Sequence, residues 1–169
     1  MKNYLQVCLL VAGLLMLPGV VGAEETGSAR FQEMSSHYEA IRLALLNDSM
    51  GGVTEHSQSL AEMATDLRKT ISADLEEVSA HDLEACVAAL GEIEYSAMEL
   101  AQASDLTAAR EGLFGLTKPM AKYRKLTGDQ STVVAYCPMA QKAWIQPEGE
   151  IGNPYFGEEM PTCGEVVGE

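Results

Sequence analysis

Apolar residues recur at three- and four-residue steps through four successive stretches of this chain, and that repetition limits the folds open to it. In the first stretch Phe31, Met34, Tyr38, Ile41 and Leu45 share one helical face, which ends near Asn47-Asp48. The second follows the break Gly51-Gly52 and carries Val53, Leu60, Met63, Leu67 and Ile71. The third opens at Ser79, with Asp82 three residues on as a capping partner, and continues through Leu83, Cys86, Leu90, Ile93, Ala97 and Leu100. The fourth begins near Asp105 and runs through Leu106, Ala109, Leu113, Leu116, Met120 and Tyr123. Each stripe has to be buried against another, and links this short turn each helix back along the last. The expected fold is therefore all-α: an up-and-down four-helix bundle with a small β-hairpin and an irregular C-terminal tail. Pro119, late in the fourth stretch, is expected to kink that helix or end its regular part.

The bundle is preceded by "MKNYLQVCLLVAGLLMLPGVVGA", in which Lys2 leads an apolar run and Val21-Gly22-Ala23 offers small residues for cleavage. This pattern is that of a secretory signal, too short and too poorly flanked for a stable membrane span. The organisation read from the sequence is a signal peptide over 1–23, the bundle over 24–128, and a hairpin and tail packed on the bundle over 129–169. Export to the periplasm or beyond follows, with cleavage near Ala23. Asp and Glu number 25 against 11 Lys and Arg. A surface so acidic repels nucleic acid and anionic lipid, and the carboxylates are spread along helical faces as a solubilising coat.

After Gly128 the texture changes. Thr132 to Tyr136 are largely β-formers, Ala143 to Ile145 form a second short run, and Pro appears at 138, 147, 154 and 161. Cys137 stands before Pro138 and Met139, and Met160 and Cys163 are three apart across Pro161. A residue before proline is extended, and in extended chain side chains two apart share a side, so Cys137 and Met139 are expected to face one way. Thiolate and thioether sulfurs are soft donors suited to Cu(I) and Ag(I). Cys137, Met139, Met160 and Cys163 are thus candidate metal ligands. A structural Cys137–Cys163 disulfide, natural in an exported protein, accounts for the same cysteines, and the spacing leaves both readings open.

"YCPMA", "NPYFG" and "MPTCGEV", together with "HDLEACVAALGEI" and "DLTAAREGLFGLTKPM", resemble a bacterial family of exported helical domains of unassigned function. Its domain occurs alone or fused to periplasmic adaptor subunits of copper/silver-type heavy-metal efflux systems. The resemblance covers nearly the whole mature chain, most closely its last 33 residues, and places His81, Arg110 and Phe114 on the family's helical motifs. Family members often have His where this chain has Tyr136, a longer insert where it has Gln141-Lys142, and Arg where it has Gly152. The resemblance implies metal handling with an efflux adaptor or another exported protein as partner, and no stable membrane insertion of the mature chain.

The remaining candidates are weaker. His37, His56 and His81 fall on three different helices, and His81, near a helix end where the tail could dock, is the auxiliary ligand of choice. Cys86 lies within an apolar stripe and reads as core. The sequence has no C-x-x-C-H, G-x-S-x-G, H-E-x-x-H or phosphate-loop motif, and no base is identified for Cys137 as a nucleophile. The expectation is a non-enzymatic exported domain that binds Cu(I) or Ag(I). Its alternative is a disulfide-locked module docking a protein through Trp144, Tyr155 and Phe156.

Overall fold

The computed structural model describes residues 27–71 and 80–167; the expected signal peptide and the Ser79 cap lie outside them. Among the described residues, four α-helices come in sequence: α1 (Gly27–Leu46), α2 (Val53–Thr70), α3 (Ala80–Leu100) and α4 (Leu106–Leu126). Each packs on the next, and α1 also meets α4. The apolar stripes meet in one core, where Phe31, Met34, Ile41, Leu60, Cys86, Leu90, Ile93, Leu113 and Met120 are all fully buried. The side chain of Asp105 caps α4 by accepting from the Ala108 N–H at 2.9 Å.

Helix α4 runs on past Pro119 to Leu126 instead of ending there. The proline removes the hydrogen bond to the carbonyl of residue 115 and crowds it. That residue is Gly115, which is exposed and has open space where a side chain would be. Its carbonyl can turn to water, and the buried proline ring fills core space.

The chain is mainly helical without being purely all-α. Strands β1 (Thr132–Cys137) and β2 (Lys142–Pro147) form the expected hairpin, but a third strand, β3 (Glu165–Val167), completes an antiparallel sheet in the order β2-β1-β3. Pairing of Ala135 with Val166 and of Tyr136 with Glu165 gives order to the end of a tail expected to be irregular. Three residues are too few for alternation to mark a strand, and their partners lie about thirty positions earlier.

Alternation along β2 sends neighbouring residues to opposite faces. Ile145 enters the helical core, whereas Trp144 joins Ala135, Cys137 and Tyr155 in a second apolar cluster beneath the loop that follows β2. Tyr38 of α1 fastens the sheet to the helices. Its hydroxyl lies 2.7 Å from that of Thr117 on α4 and accepts from the Ile145 N–H at 3.3 Å. Burial pushes the Tyr38 hydroxyl up to about 12, so it remains a neutral donor and acceptor.

Asp129, nearly inaccessible between α4 and β1, ties the start of α1 to the sheet. It accepts from Ser28 at 2.8 Å, Gln32 at 3.0 Å and the Ser131 N–H at 2.8 Å. Burial works to raise its carboxyl, but hydrogen bonds from Ser131, Gln32 and Ser28 outweigh that and hold it below the usual aspartate range. A depressed folded-state pKa gives stability that is present above the unfolded value, about 3.9, and lost as pH falls through the folded value. Urea unfolding across pH should therefore show Asp129→Ala less stable than the natural chain at neutral pH. The gap should narrow as the medium is acidified below pH about 4.

Candidate thiol and metal centre

Cys137 closes β1. Pro138 stops the strand, and residues 138–141 turn the chain into β2, with Gln141 taking the left-handed conformation at φ 54°. Cys137 is extended, as a residue before proline should be, but Met139 lies in the turn and not in extended chain. The two side chains therefore part company: Cys137 is fully buried and Met139 is 66% exposed.

The second cysteine arrives by a turn in which the Cys163 N–H bonds to the Met160 carbonyl at 3.2 Å. Cys163 and Met160 are both half-buried. Both cysteines carry thiols, and their sulfurs lie 2.9 Å apart. Two residues separated by 26 positions thus meet at one point.

The pair is asymmetric. Burial works to raise the Cys137 thiol, but hydrogen bonds from Cys163, the Ala140 and Met139 N–H groups and Asn153 outweigh it and lower the pKa. Cys163 is pushed up, first by its hydrogen bond to Cys137 and then by burial. A thiolate formed at either sulfur can accept a hydrogen bond from the other thiol.

The segment from Gly152 to Gly157 holds this arrangement. Asn153, fully buried, donates to the Cys163 carbonyl at 2.7 Å, accepts from the Tyr155 N–H at 2.8 Å, and its own N–H bonds to the Pro161 carbonyl at 2.7 Å. On either side of Asn153 an arginine from the helices holds a backbone carbonyl. Arg42 of α1 donates to Gly152 at 2.5 Å while paired with both oxygens of Glu39. Arg110 of α4 donates to Pro154 at 2.8 Å and to Leu45 at 3.1 Å, and pairs with Asp48 at 2.5 Å. Asp48 also accepts from the Glu158 N–H at 3.1 Å. Gly157, at φ 55°, sits so close to Asp48 and Arg110 that a Cβ would strike both. Beneath the segment, Gln146 accepts from the Trp144 indole at 2.8 Å and from the Gly152 N–H at 3.1 Å.

Trp144 is completely buried and Tyr155 nearly so, their rings edge to face with centroids 6.0 Å apart. These two aromatics support the thiol pair from within and have no free face for a partner; Phe156 is half-buried. The side chain of His81 lies outside the described residues. His37 and His56, assigned to separate helices, are brought together with their Nδ1 atoms 3.0 Å apart. Burial, then the neighbouring His56, lowers the His37 pKa against the opposing charge of Glu33.

The sequence reading missed Arg42, Asp48, Gln146 and Asn153 as site-building residues and gave Arg110 no task. Gly-Asn-Pro-Tyr-Phe-Gly was the available signal, since a polar residue between turn-formers commonly bonds to nearby backbone. Comparisons with protein-family models, curated proteins and solved structures return no match.

Replacing Asn153 with Ala removes the clamp on Cys163 and leaves buried backbone groups unpaired, a loss of about 1–3 kcal/mol. Thiol alkylation of reduced protein should become faster at Cys137 and Cys163, while far-UV helicity stays close to that of the natural chain. Unchanged alkylation would mean that Asn153 does not hold the pair.

Proposed function

We propose that this is an exported domain whose reduced Cys137–Cys163 pair binds a soft monovalent cation, Cu(I) or Ag(I), in service of metal resistance or efflux. The single observation that carries the reading is the meeting of the two sulfurs where β1 ends, one fully buried and the other half-buried. Soft d10 cations favour sulfur donors, and binding between two thiolates releases the protons of both thiols. Met160 adjoins Cys163 in the same turn and is the nearer thioether candidate by position; Met139 would have to swing in from solvent. In this reading the helices form an up-and-down bundle that serves as a rigid mount. The resemblance to domains fused with efflux adaptors suggests the partner, an exported adaptor that passes on or receives the ion.

A second reading has its own support. An ion held about 2.3 Å from each sulfur would keep the sulfurs about 4.0 Å apart in a trigonal site and about 4.6 Å apart in a linear one, both wider than the 2.9 Å found. Metal binding therefore requires the pair to open by about 1–2 Å, whereas oxidation requires it to close. A Cys137–Cys163 disulfide is the natural oxidised form, and in it the tail is locked with no metal bound.

Anaerobic competition for Cu(I) against chelators of graded strength separates the two readings. The reduced chain should hold one equivalent, and Cys137→Ser or Cys163→Ser should each abolish tight binding. Met160→Leu should weaken binding more than Met139→Leu, and Cys86→Ser should leave it unchanged. Loss of the ion to even a weak chelator would leave the disulfide-locked module as the function.

A further inference from the structure

We infer that His37 and His56 form a second metal site, a two-nitrogen site for a divalent cation of the Cu2+, Ni2+ or Zn2+ class, at the seam between α1 and α2. Their Nδ1 atoms are 3.0 Å apart, and their rings are tilted by 56° with centroids 5.2 Å apart. The sites differ in chemistry: the cysteine pair offers soft sulfur, and this pair offers imidazole nitrogen, which suits borderline divalent ions.

The local fold sets up the convergence. His37 faces α2 from the middle of α1, and His56 lies in the first turn of α2, just after the break at Gly52. Gly52 adopts φ 79°, and a Cβ there would come within 3.2 Å of the His56 ring. The glycine thus allows both the turn and the seat of the ring beside it. An imidazole nitrogen binds such ions at about 2.0–2.1 Å, so nitrogens 3.0 Å apart subtend about 95° at a shared ion. That is close to the angle between adjacent ligands of a tetragonal Cu2+ or Ni2+ site and within reach of a tetrahedral one.

Without metal, one neutral ring donates its Nδ1 proton to the other. On binding, the donor ring carries its hydrogen on Nε2 instead, and each ring turns by up to about 40° to aim its Nδ1 lone pair at the ion. Among the described residues no three His, Cys, Asp or Glu side chains converge as a ready-made cage. Water would fill the other positions, giving the affinity of a two-ligand chelate. A groove of about 530 Å³ beside His37 is lined by Glu33, Glu62 and Asp66, with Arg30 also on its wall, and offers a largely acidic approach for a cation.

The test is titration of Cu2+ into the full chain carrying Cys137→Ser and Cys163→Ser, so that the thiol pair neither captures nor reduces the ion. Electron paramagnetic resonance should show one equivalent coupled to two nitrogens, and the His37 and His56 ring signals in NMR should broaden before those of His81. Loss of groups that merely support a ligand costs about 10–100-fold in affinity, so His37→Gln and His56→Gln should each cost at least about tenfold. His81→Gln should cost nothing. Binding that survives removal of both His37 and His56, or that disappears with His81→Gln, overturns the proposal. If either Gln variant unsettles the helix pair, the ring signals of the chain with all three histidines decide: selective broadening supports the site, and its absence overturns it.

Discussion

Two arginines from the helices, Arg42 and Arg110, hold the carbonyls of Gly152 and Pro154 and so anchor the loop around Asn153 to α1 and α4. The loop lacks regular secondary structure over these residues, so its backbone polar groups need partners from elsewhere. A hydrogen bond to a charged donor contributes about 1.5–3 kcal/mol, comparable with burying one large apolar side chain. The arginines and the buried Trp144–Tyr155 pair are therefore similar in weight, and neither alone secures the loop. Between the two gripped carbonyls sits Asn153, which passes the restraint to Cys163. The thiol pair is in this way referenced to α1 and α4 through side chain–backbone bonds.

The same contacts explain why small residues stand where they do. A Cβ at Gly152 would collide with the Arg42 guanidinium, and one at Gly164 would come within 2.6 Å of the Trp144 ring. The loop lies directly on the groups that hold it, so a larger residue displaces backbone. Tyr136 has a comparable logic. It neighbours Cys137 but points to the other face of β1, so a histidine at that position would not share the face of the buried sulfur.

Much of the fold was legible because it obeys a local period. The stripes from Phe31 to Leu45 and from Ala109 to Tyr123 are buried as read, since a helix of several turns repeats its signal many times. Strand β3 was not legible, because its three residues are ordered by pairing with β1. The thiol pair was half legible. The turn between Met160 and Cys163 was readable, but the extended argument for Met139 failed because Pro138 opens a turn. His37 and His56 looked unrelated for a simple reason: periodicity gives the face of each helix and not the axial alignment of two neighbours.

The central claim is that a soft ion is held by the sulfurs of Cys137 and Cys163. X-ray absorption at the copper edge, on reduced chain loaded with one equivalent of Cu(I), observes those ligands directly. The account predicts a first shell of sulfur, two thiolates with or without one thioether, that vanishes in the Cys137→Ser and Cys163→Ser double variant. A first shell of nitrogen or oxygen, or a sulfur shell that persists in the double variant, would contradict it.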